Sequence, residues 1–389
     1  MKIKYFLLPA LVLITFYWVA NPSFIEHEPV KVEEKIDSTV TVSFSCVGDI
    51  MCHSTQYNSA KVEKDSFDFK PVFNYVKDYL VQKDILFGNL ETVLAGNSKN
   101  YSGYPFFNTP NELAEALKFA GFDFLFTANN HANDQGIDGI KRTIDELKKV
   151  NIVPIGTTIP EDSSENYNFF VRKGLRFGIL SYTYGTNYKS SNTNPQKVVN
   201  HIDTIKIKND IKSLQNKNAD LIIVYFHFGN EYWKKVSSYQ RRITNQTIKF
   251  GADIILASHP HVVQQFEKFK SNNANLDSGF VTFSLGNFIS NQRWRYSDGG
   301  LIFNFDITKN IFTDSVFISN ISFLPIWIFK GKIEGKKEYR ILQSQNFNDT
   351  INYNFLTSAD VDSMKRSYFD TIELFTSKNN SASIDTLKF

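Results

Sequence analysis

Five short apolar runs in this chain end in the same way, in His, Asn or carboxylate side chains. Thr39 to Val47 ends in Gly48-Asp49, with His53 just beyond, and Ile85 to Gly88 ends in Asn89-Leu90-Glu91. Phe122 to Ala128 ends in Asn129-Asn130-His131, Leu221 to Phe226 in His227, and Ile254 to Ala257 in Ser258-His259-Pro260-His261. Helical segments separate these runs. Phe69, Val72, Phe73, Val76 and Leu80 share one helical face. Thr109-Pro110-Asn111-Glu112 has the form of a capping box opening a helix that runs to Ala120 and stops at Gly121. Ile137, Ile140, Ile144 and Leu147 mark a third helix, and two more are expected over 205–214 and 239–250. Strands alternating with helices dictate an α/β chain with a parallel-type sheet. A hairpin of 168–172 and 176–182, turning at Lys173-Gly174, adds a second β layer. Later segments at 280–283, 301–307 and 316–323 have no helices between them and read as mostly antiparallel strands.

In α/β sheets, ligands sit beyond the carboxyl ends of the strands, so these clusters converge on one crevice. They hold five of the seven histidines. Each residue alone has an ordinary explanation: Asp49 as a turn residue, Asn130 as a cap, Glu91 as a solvated carboxylate. The joint pattern requires that explanation five times at the same structural position. His, Asn and carboxylate together suit a borderline divalent ion such as Mn, Zn or Fe. In an extended His259-Pro260-His261, both imidazoles point to one face. They then serve one ion each in a pair about 3.5–4 Å apart, the separation used for phosphoester hydrolysis. Asp49 and Glu91 supply negative charge, and His131 stands beside the site where it can protonate a leaving group.

Composition closes off other classes. Of 389 residues, 42% are hydrophobic, enough for a packed core. A balance of 43 Lys+Arg against 40 Asp+Glu argues against a nucleic-acid partner. Two cysteines, Cys46 and Cys52, exclude a disulfide scaffold and a Cys-rich zinc site. Lys2 and Lys4 precede an apolar run from Tyr5 to Ala20, the form of an export signal. Trp18 spoils a cleavage site at Ala20, so the expectation is an uncleaved single-pass membrane anchor with the body extracytoplasmic. The expected organisation is an anchor over 1–20, a linker over 21–38, one domain over 39–330, and a C-terminal extension over 331–389. That extension carries a last helix near 358–375.

Six segments carry a resemblance: 48–51, 89–91, 129–134, 227–232, 259–264 and 284–288, the last reading Ser284-Leu285-Gly286-Asn287-Phe288. In order and content they resemble the CapA family, named for bacterial poly-γ-glutamate capsule biosynthesis. Its domain is similar to calcineurin-like metallophosphatases. The resemblance implies a four-layer α-β-β-α sandwich of that type, in a membrane-anchored extracytoplasmic protein. Carried over motif by motif, Asp49, Glu91, Asn130, His227, His259 and His261 become ligands of one or two divalent ions, and His131 the acid near the leaving group. The wider phosphatase pattern has His where this chain has Met51, and a bridging Asp where it has Asn89. His53 and Glu91 are the nearest substitutes. His53, Asn89, Glu231, Asn287, Arg293 and Arg295 are candidate substrate contacts. The two arginines suit phosphate or a polycarboxylate, and equally an ordinary surface pair. Two functions follow: metal-dependent hydrolysis of a phosphoester in an anionic envelope polymer or its precursor, or non-catalytic polymer binding beside a membrane-bound synthase.

Overall fold

Phenylalanine decides the architecture, because two sheets each present a row of Phe side chains that only the other sheet can cover. The computed structural model describes residues 38–159, 168–187, 198–377 and 383–385. In chain order come β1 (Thr39–Ile50), α1 (Ser54–Ala60), the small hairpin β2 (Lys61–Glu63) and β3 (Ser66–Phe67), α2 (Lys77–Leu80), β4 (Ile85–Leu90), α3 (Glu112–Phe119), β5 (Phe124–Phe126), α4 (Gly136–Lys149) and β6 (Val153–Ile155). Next are β7 (Asn168–Arg172), β8 (Leu175–Thr183), α5 (Thr204–Asn216), β9 (Leu221–His227), α6 (Ser238–Phe250), β10 (Ile254–Ser258), β11 (Val263–Lys270) and β12 (Ser278–Leu285). The described chain finishes with β13 (Asn287–Ile289), β14 (Gly299–Asn310), β15 (Val316–Ile333), β16 (Lys336–Gln343), α7 (Ser358–Thr376) and β17 (Ser383–Ile384).

One sheet has the order β16-β15-β14-β1-β4-β5-β6, with β13 beside β1 and β17 beside β15; the other has the order β11-β12-β10-β9-β8-β7. The parallel strands are therefore not in one sheet, as the alternation suggested. They are divided: β1, β4, β5 and β6 in the first, and β8, β9, β10 and β12 in the second. Antiparallel strands complete the edges of both. Local periodicity gives each strand but not its neighbour, which is set by what the inner faces can bury. Phe44 stacks on Phe305 at 4.9 Å in its own sheet and meets Phe177 of the other edge-on at 5.2 Å. Phe126 stacks on Tyr225 across the gap at 4.0 Å. Each such fully buried ring stabilises the fold by roughly 1.5–3 kcal/mol.

Helices cover both outer faces. Residues of α3, such as Leu113 and Leu117, pack with Leu86 and Leu125 on the first sheet. Ile207, Ile211 and Leu214 of α5 and Ile243 of α6 pack with Val224 and Ile255 on the second. The order is helices, sheet, sheet, helices. α7 lies over β11, β14 and β15 and sends Phe375 into the core between the sheets.

Several local expectations change. The helix expected over 69–80 is a 3-10 turn at Lys70–Phe73 followed by α2, with Val76 off helical geometry at φ −127°. Phe69, Phe73, Val76 and Leu80 are nevertheless buried, as their spacing requires. No capping box forms before α3: its N-cap is Asn111, without a side-chain bond, and the Thr109 hydroxyl pairs with that of Thr92 at 2.6 Å. The turn at Lys173-Gly174 has φ of 49° and 81°, the left-handed pair a two-residue hairpin requires. β15 continues through position 330, and the charged stretch beyond it returns as β16, burying Tyr339, Ile341 and Leu342. Cys46 and Cys52 are free and buried.

The single-pass membrane anchor, and the localisation built on it, is corrected. Among the described residues no helix is long and apolar enough to cross a membrane. The run from Tyr5 to Ala20 and the linker to Ser38 lie outside the described residues, save Ser38 itself.

Candidate metal centre

Strands from both sheets deliver side chains to one buried point. β1 brings Asp49, β4 brings Asn89 and the adjoining Glu91, and the segment after β5 brings Asn130 and His131. From the second sheet, β9 ends in His227 and β10 is followed by His259 and His261. Asp49 is placed by a close approach: a Cβ on Gly48 would lie 1.9 Å from the Gly286 carbonyl oxygen. Only glycine lets β13 lie beside β1 there, and the Asp49 N–H donates to Gly286 at 3.0 Å.

Asp49, Glu91, Asn130, His131, His227, His259 and His261 are all buried. Asn130 Oδ1 lies 2.8 Å from His227 Nε2. His261 Nδ1 lies 2.9 Å from Asp49 Oδ2, and Glu91 Oε1 lies 3.6 Å from His227 Nε2 and 3.8 Å from His261 Nε2. The rings of His227 and His259 are 4.7 Å apart at their centroids. Three groups bring their ligand atoms within 4.8 Å of one another: Glu91 with His227 and His259, Asp49 with Glu91 and His261, and the exposed Glu231 with His259 and His261. His259 and His261 do not sit on an extended strand. Their φ values are 108° and 58°, so both follow a tight bend after β10. Such left-handed backbone is costly for a residue with a side chain, and here it turns both rings inward.

Two buried atoms in the cluster have no hydrogen-bond partner, Glu91 Oε1 and His259 Nδ1. Buried polar atoms are almost always paired. Burial, then the charge of Asp49, pushes the Glu91 carboxyl well above its usual range. Burial, then the neighbouring histidines, holds His227 and His259 well below theirs. Protein alone thus leaves a carboxyl short of positive charge and imidazoles with lone pairs to give. The donor set of carboxylate, imidazole and amide oxygen fits a borderline divalent ion.

The other candidates separate. Asn89 lies inside the cluster, donating from Nδ2 to Asp49 Oδ1 at 2.8 Å. His53 stands at the edge, held by Gln56 and the Asn291 N–H, and burial pushes it down to about 4. Asn287 pairs in register with Asp49, but its amide nitrogen pins the following loop through Gln292 and Ser297, both at 2.8 Å. Arg295 makes a bidentate pair with Asp370 on α7, at 2.8 and 2.7 Å, and Arg293 bonds the Ile328 carbonyl. Both arginines therefore hold the fold together and are not in the centre.

Other residues carry the site without having been singled out. Asn129 donates to Leu90 at 2.7 Å and to Asn89 Oδ1 at 3.2 Å, and accepts from the His131 N–H at 3.1 Å. Asp134 Oδ2 lies 2.7 Å from His131 Nδ1. Both stand in the segment that holds Asn130, so the motif itself was their signal. Tyr184 covers His259 at 4.6 Å between ring centroids. It follows β8, a strand whose end has no His, Asn or carboxylate to mark it. Tyr232 packs near His261 at 5.9 Å and meets Trp294 at 5.0 Å.

Comparisons with known proteins identify the family. Residues 43–292 match the family described as bacterial capsule synthesis protein PGA_cap. The chain is 32% identical to the capsule biosynthesis protein CapA of Bacillus anthracis over 75% of its own length and 69% of that protein's. It is 28% identical to the PGA biosynthesis protein CapA of Bacillus subtilis, over 77% and 74% respectively. Among solved structures, the NAD nucleotidase of Haemophilus influenzae is similar with a TM-score of 0.46 and 15% identity, covering 90% of this chain and 58% of that one. The chain belongs to the PGA_cap family of bacterial capsule synthesis proteins.

Proposed function

We propose that this chain is a metal-dependent, phosphoesterase-like hydrolase that acts on an anionic capsule-type polymer or its precursor, beside the polymer synthase. The observation that carries this reading is the pair of orphaned atoms, Glu91 Oε1 and His259 Nδ1, inside a fully buried His and carboxylate cluster. Glu91, His227 and His259, with Asn130, would hold one divalent ion. Asp49, Glu91 and His261 form a second group that would hold another ion, with Glu91 shared between the two. A bound divalent ion supplies Lewis acidity and a water that is easily deprotonated.

The protein's own groups do the rest. Asp134 accepts a proton-bearing Nδ1 of His131 and so leaves the other ring nitrogen to face Asn187, 3.5 Å away. Protonated on that nitrogen as well, His131 would hand the proton to a leaving oxygen and return to the neutral ring. Tyr184 and Tyr232 flank the histidines.

Asn89 favours a second reading. Its amide N–H lies 2.8 Å from Asp49 and 3.4 Å from Glu91, so a donor occupies the ground between the two carboxylates. A neutral amide bridges two cations poorly, which supports one ion and a polymer-binding role without turnover. The deciding experiment is turnover of bis(p-nitrophenyl) phosphate by Mn²⁺- or Zn²⁺-loaded protein. Hydrolysis that His131→Ala slows by about 10²–10⁴-fold, with metal content unchanged, supports the enzyme. A folded, metal-loaded protein without turnover leaves the binding role.

A further inference from the structure

Glu231 is the one exposed member of the three ligand groups formed by the described residues. Its carboxylate comes within 4.8 Å of a ring nitrogen of His259 and of His261. It shares no such group with Asp49, Glu91 or His227, which are fully buried. The two histidines therefore link an inner and an outer set of ligands. Inward, His259 stands with Glu91 and His227, and His261 with Asp49 and Glu91. Outward, both stand with Glu231.

The chain fixes Glu231 in that place. After β9 the next residues turn back against the bend that carries the histidines. The Phe228 N–H donates to the Ser258 carbonyl at 3.1 Å, and the Tyr232 N–H to the Pro260 carbonyl at 2.7 Å. Gly229 makes the turn at φ 117°, and Tyr232 takes a left-handed φ of 64°. Such backbone is costly for a residue with a side chain, and it persists only where its surroundings hold it. Gln264 Nε2 donates to the Trp233 carbonyl at 2.7 Å, and Gln292 Nε2 to the Tyr232 hydroxyl at 3.2 Å. Glu231 thus stands between pinned residues, unlike a carboxylate on a free loop.

His261 can serve only one side at a time. Its Nδ1 lies 2.9 Å from Asp49 Oδ2, which leaves Nε2, the nitrogen 3.8 Å from Glu91 Oε1. In a neutral imidazole one nitrogen carries the proton and the other has a single lone pair to give. While Nδ1 stays on Asp49, ligation beside Glu231 and ligation beside Glu91 therefore exclude each other at Nε2. A buried metal site also needs a way in. We propose that Glu231 is the entry ligand of the metal centre: with His259 and His261 it takes a divalent cation from solvent and passes it inward to Glu91. Glu231 keeps no ion of its own. The inference rests on the ion binding proposed above, and not on turnover.

The test uses the full chain and Mn²⁺ alone. Uptake is timed by stopped flow, release by an EDTA chase, and affinity is read by equilibrium dialysis. Glu231→Gln should slow uptake about tenfold, the lower end of what charge at the mouth of a site adds to association. Release should slow by the same factor, since the ion leaves by the path it enters, so affinity should be unchanged. Glu231→Asp keeps the charge and should recover most of the rate. Asp65→Asn changes net charge equally on the exposed β2–β3 turn and should leave both rates as they are. Equal rates in Glu231→Gln and the parent overturn the proposal, as does an equal slowing in Asp65→Asn. Weaker affinity with unchanged uptake overturns it too, because Glu231 is then a resident ligand. A parent chain that binds no Mn²⁺ removes the metal centre itself; a parent that binds Mn²⁺ at rates indifferent to Glu231 removes the entry role alone.

Discussion

At their amino ends the strands of both sheets are preceded by aspartates, Asp84 before β4, Asp123 before β5, Asp220 before β9 and Asp253 before β10; the carboxyl ends of these sheets instead release Asp49, Glu91, His227 and His259 into a crevice. Each amino-end carboxylate accepts a backbone N–H from the neighbouring strand: Ser43 at 2.9 Å, Leu86 at 3.0 Å, Arg176 at 2.8 Å and Ile222 at 2.9 Å. These bonds staple the ladder at the residue where pairing begins. Cations reinforce three of them, Lys173 on Asp84 at 2.7 Å, Lys118 on Asp123 at 3.7 Å, and Arg176 and Lys309 on Asp220 at 2.9 and 3.0 Å. The carboxyl end has the same acids but no lysine or arginine among these contacts, and it leaves Glu91 Oε1 and His259 Nδ1 bare. One end satisfies its charges from within the chain. The other leaves its carboxylates and imidazoles to one another.

The comparison breaks if the staples are dispensable. Asp220→Ala should cost about 2–4 kcal/mol, because it strands the Arg176 N–H and two cations at once. Burial pushes the Asp220 carboxyl up, but the bonds from Arg176 and Lys309 outweigh it and hold it below its usual range. Its contribution is therefore present above about pH 4 and lost as pH falls further. Chemical denaturation across pH checks both statements. Metal uptake should be unaffected.

Asp253 sharpens the picture within the amino end, since no cation reaches it. Burial pushes it up to about 6, against the bonds from Ile222, Ser271 and Asn273 that pull it down. The rise from 3.8 to about 6 corresponds to about 3 kcal/mol. An acid raised in the folded state favours the protonated form, so this group costs stability as pH rises from about 4 to 6, and the cost persists above. Asp253→Asn should flatten that slope and raise the neutral-pH Tm, provided its amide oxygen keeps the Ile222 N–H.

The smallest effect expected has the opposite sign to Asp220→Ala. In metal-free protein, Glu91→Gln removes a buried carboxyl that lacks positive charge and should stabilise by about 1 kcal/mol. The same variant should gain less from added Mn²⁺ than the parent. Thermal melts with and without the ion would show a crossover; a Glu91→Gln variant destabilised in both conditions would equate the two ends.

Much of the site was legible in the chain because strand ends are local features. Each apolar run stops where its polar cluster begins, and burial of the run drags the cluster to the sheet's end. Which strands are neighbours was not legible: the split of parallel strands into two sheets depends on Phe44 meeting Phe177 and Phe126 meeting Tyr225 between the sheets, which no periodicity encodes. The bend at His259 and His261 was hidden too, since Pro260 suits an extended segment as well as a turn. Arg293 and Arg295 had no pattern to separate a ligand from a brace; the Ile328 carbonyl decides it for Arg293, and Asp370, on a helix 75 residues further on, for Arg295. The four aspartates before the strands share one position in the sequence, yet they resemble ordinary turn residues until the neighbouring N–H groups are in place.

Anomalous X-ray scattering at the manganese edge, from crystals grown with Mn²⁺, tests the central claim most directly. The account predicts a peak bounded by Glu91, His227 and His259, within ligand distance of Glu91 Oε1 and His259 Nδ1, and no peak there in His259→Ala crystals. A map without density at that point, with Glu91 and His259 still facing each other in a well-ordered cluster, would contradict it.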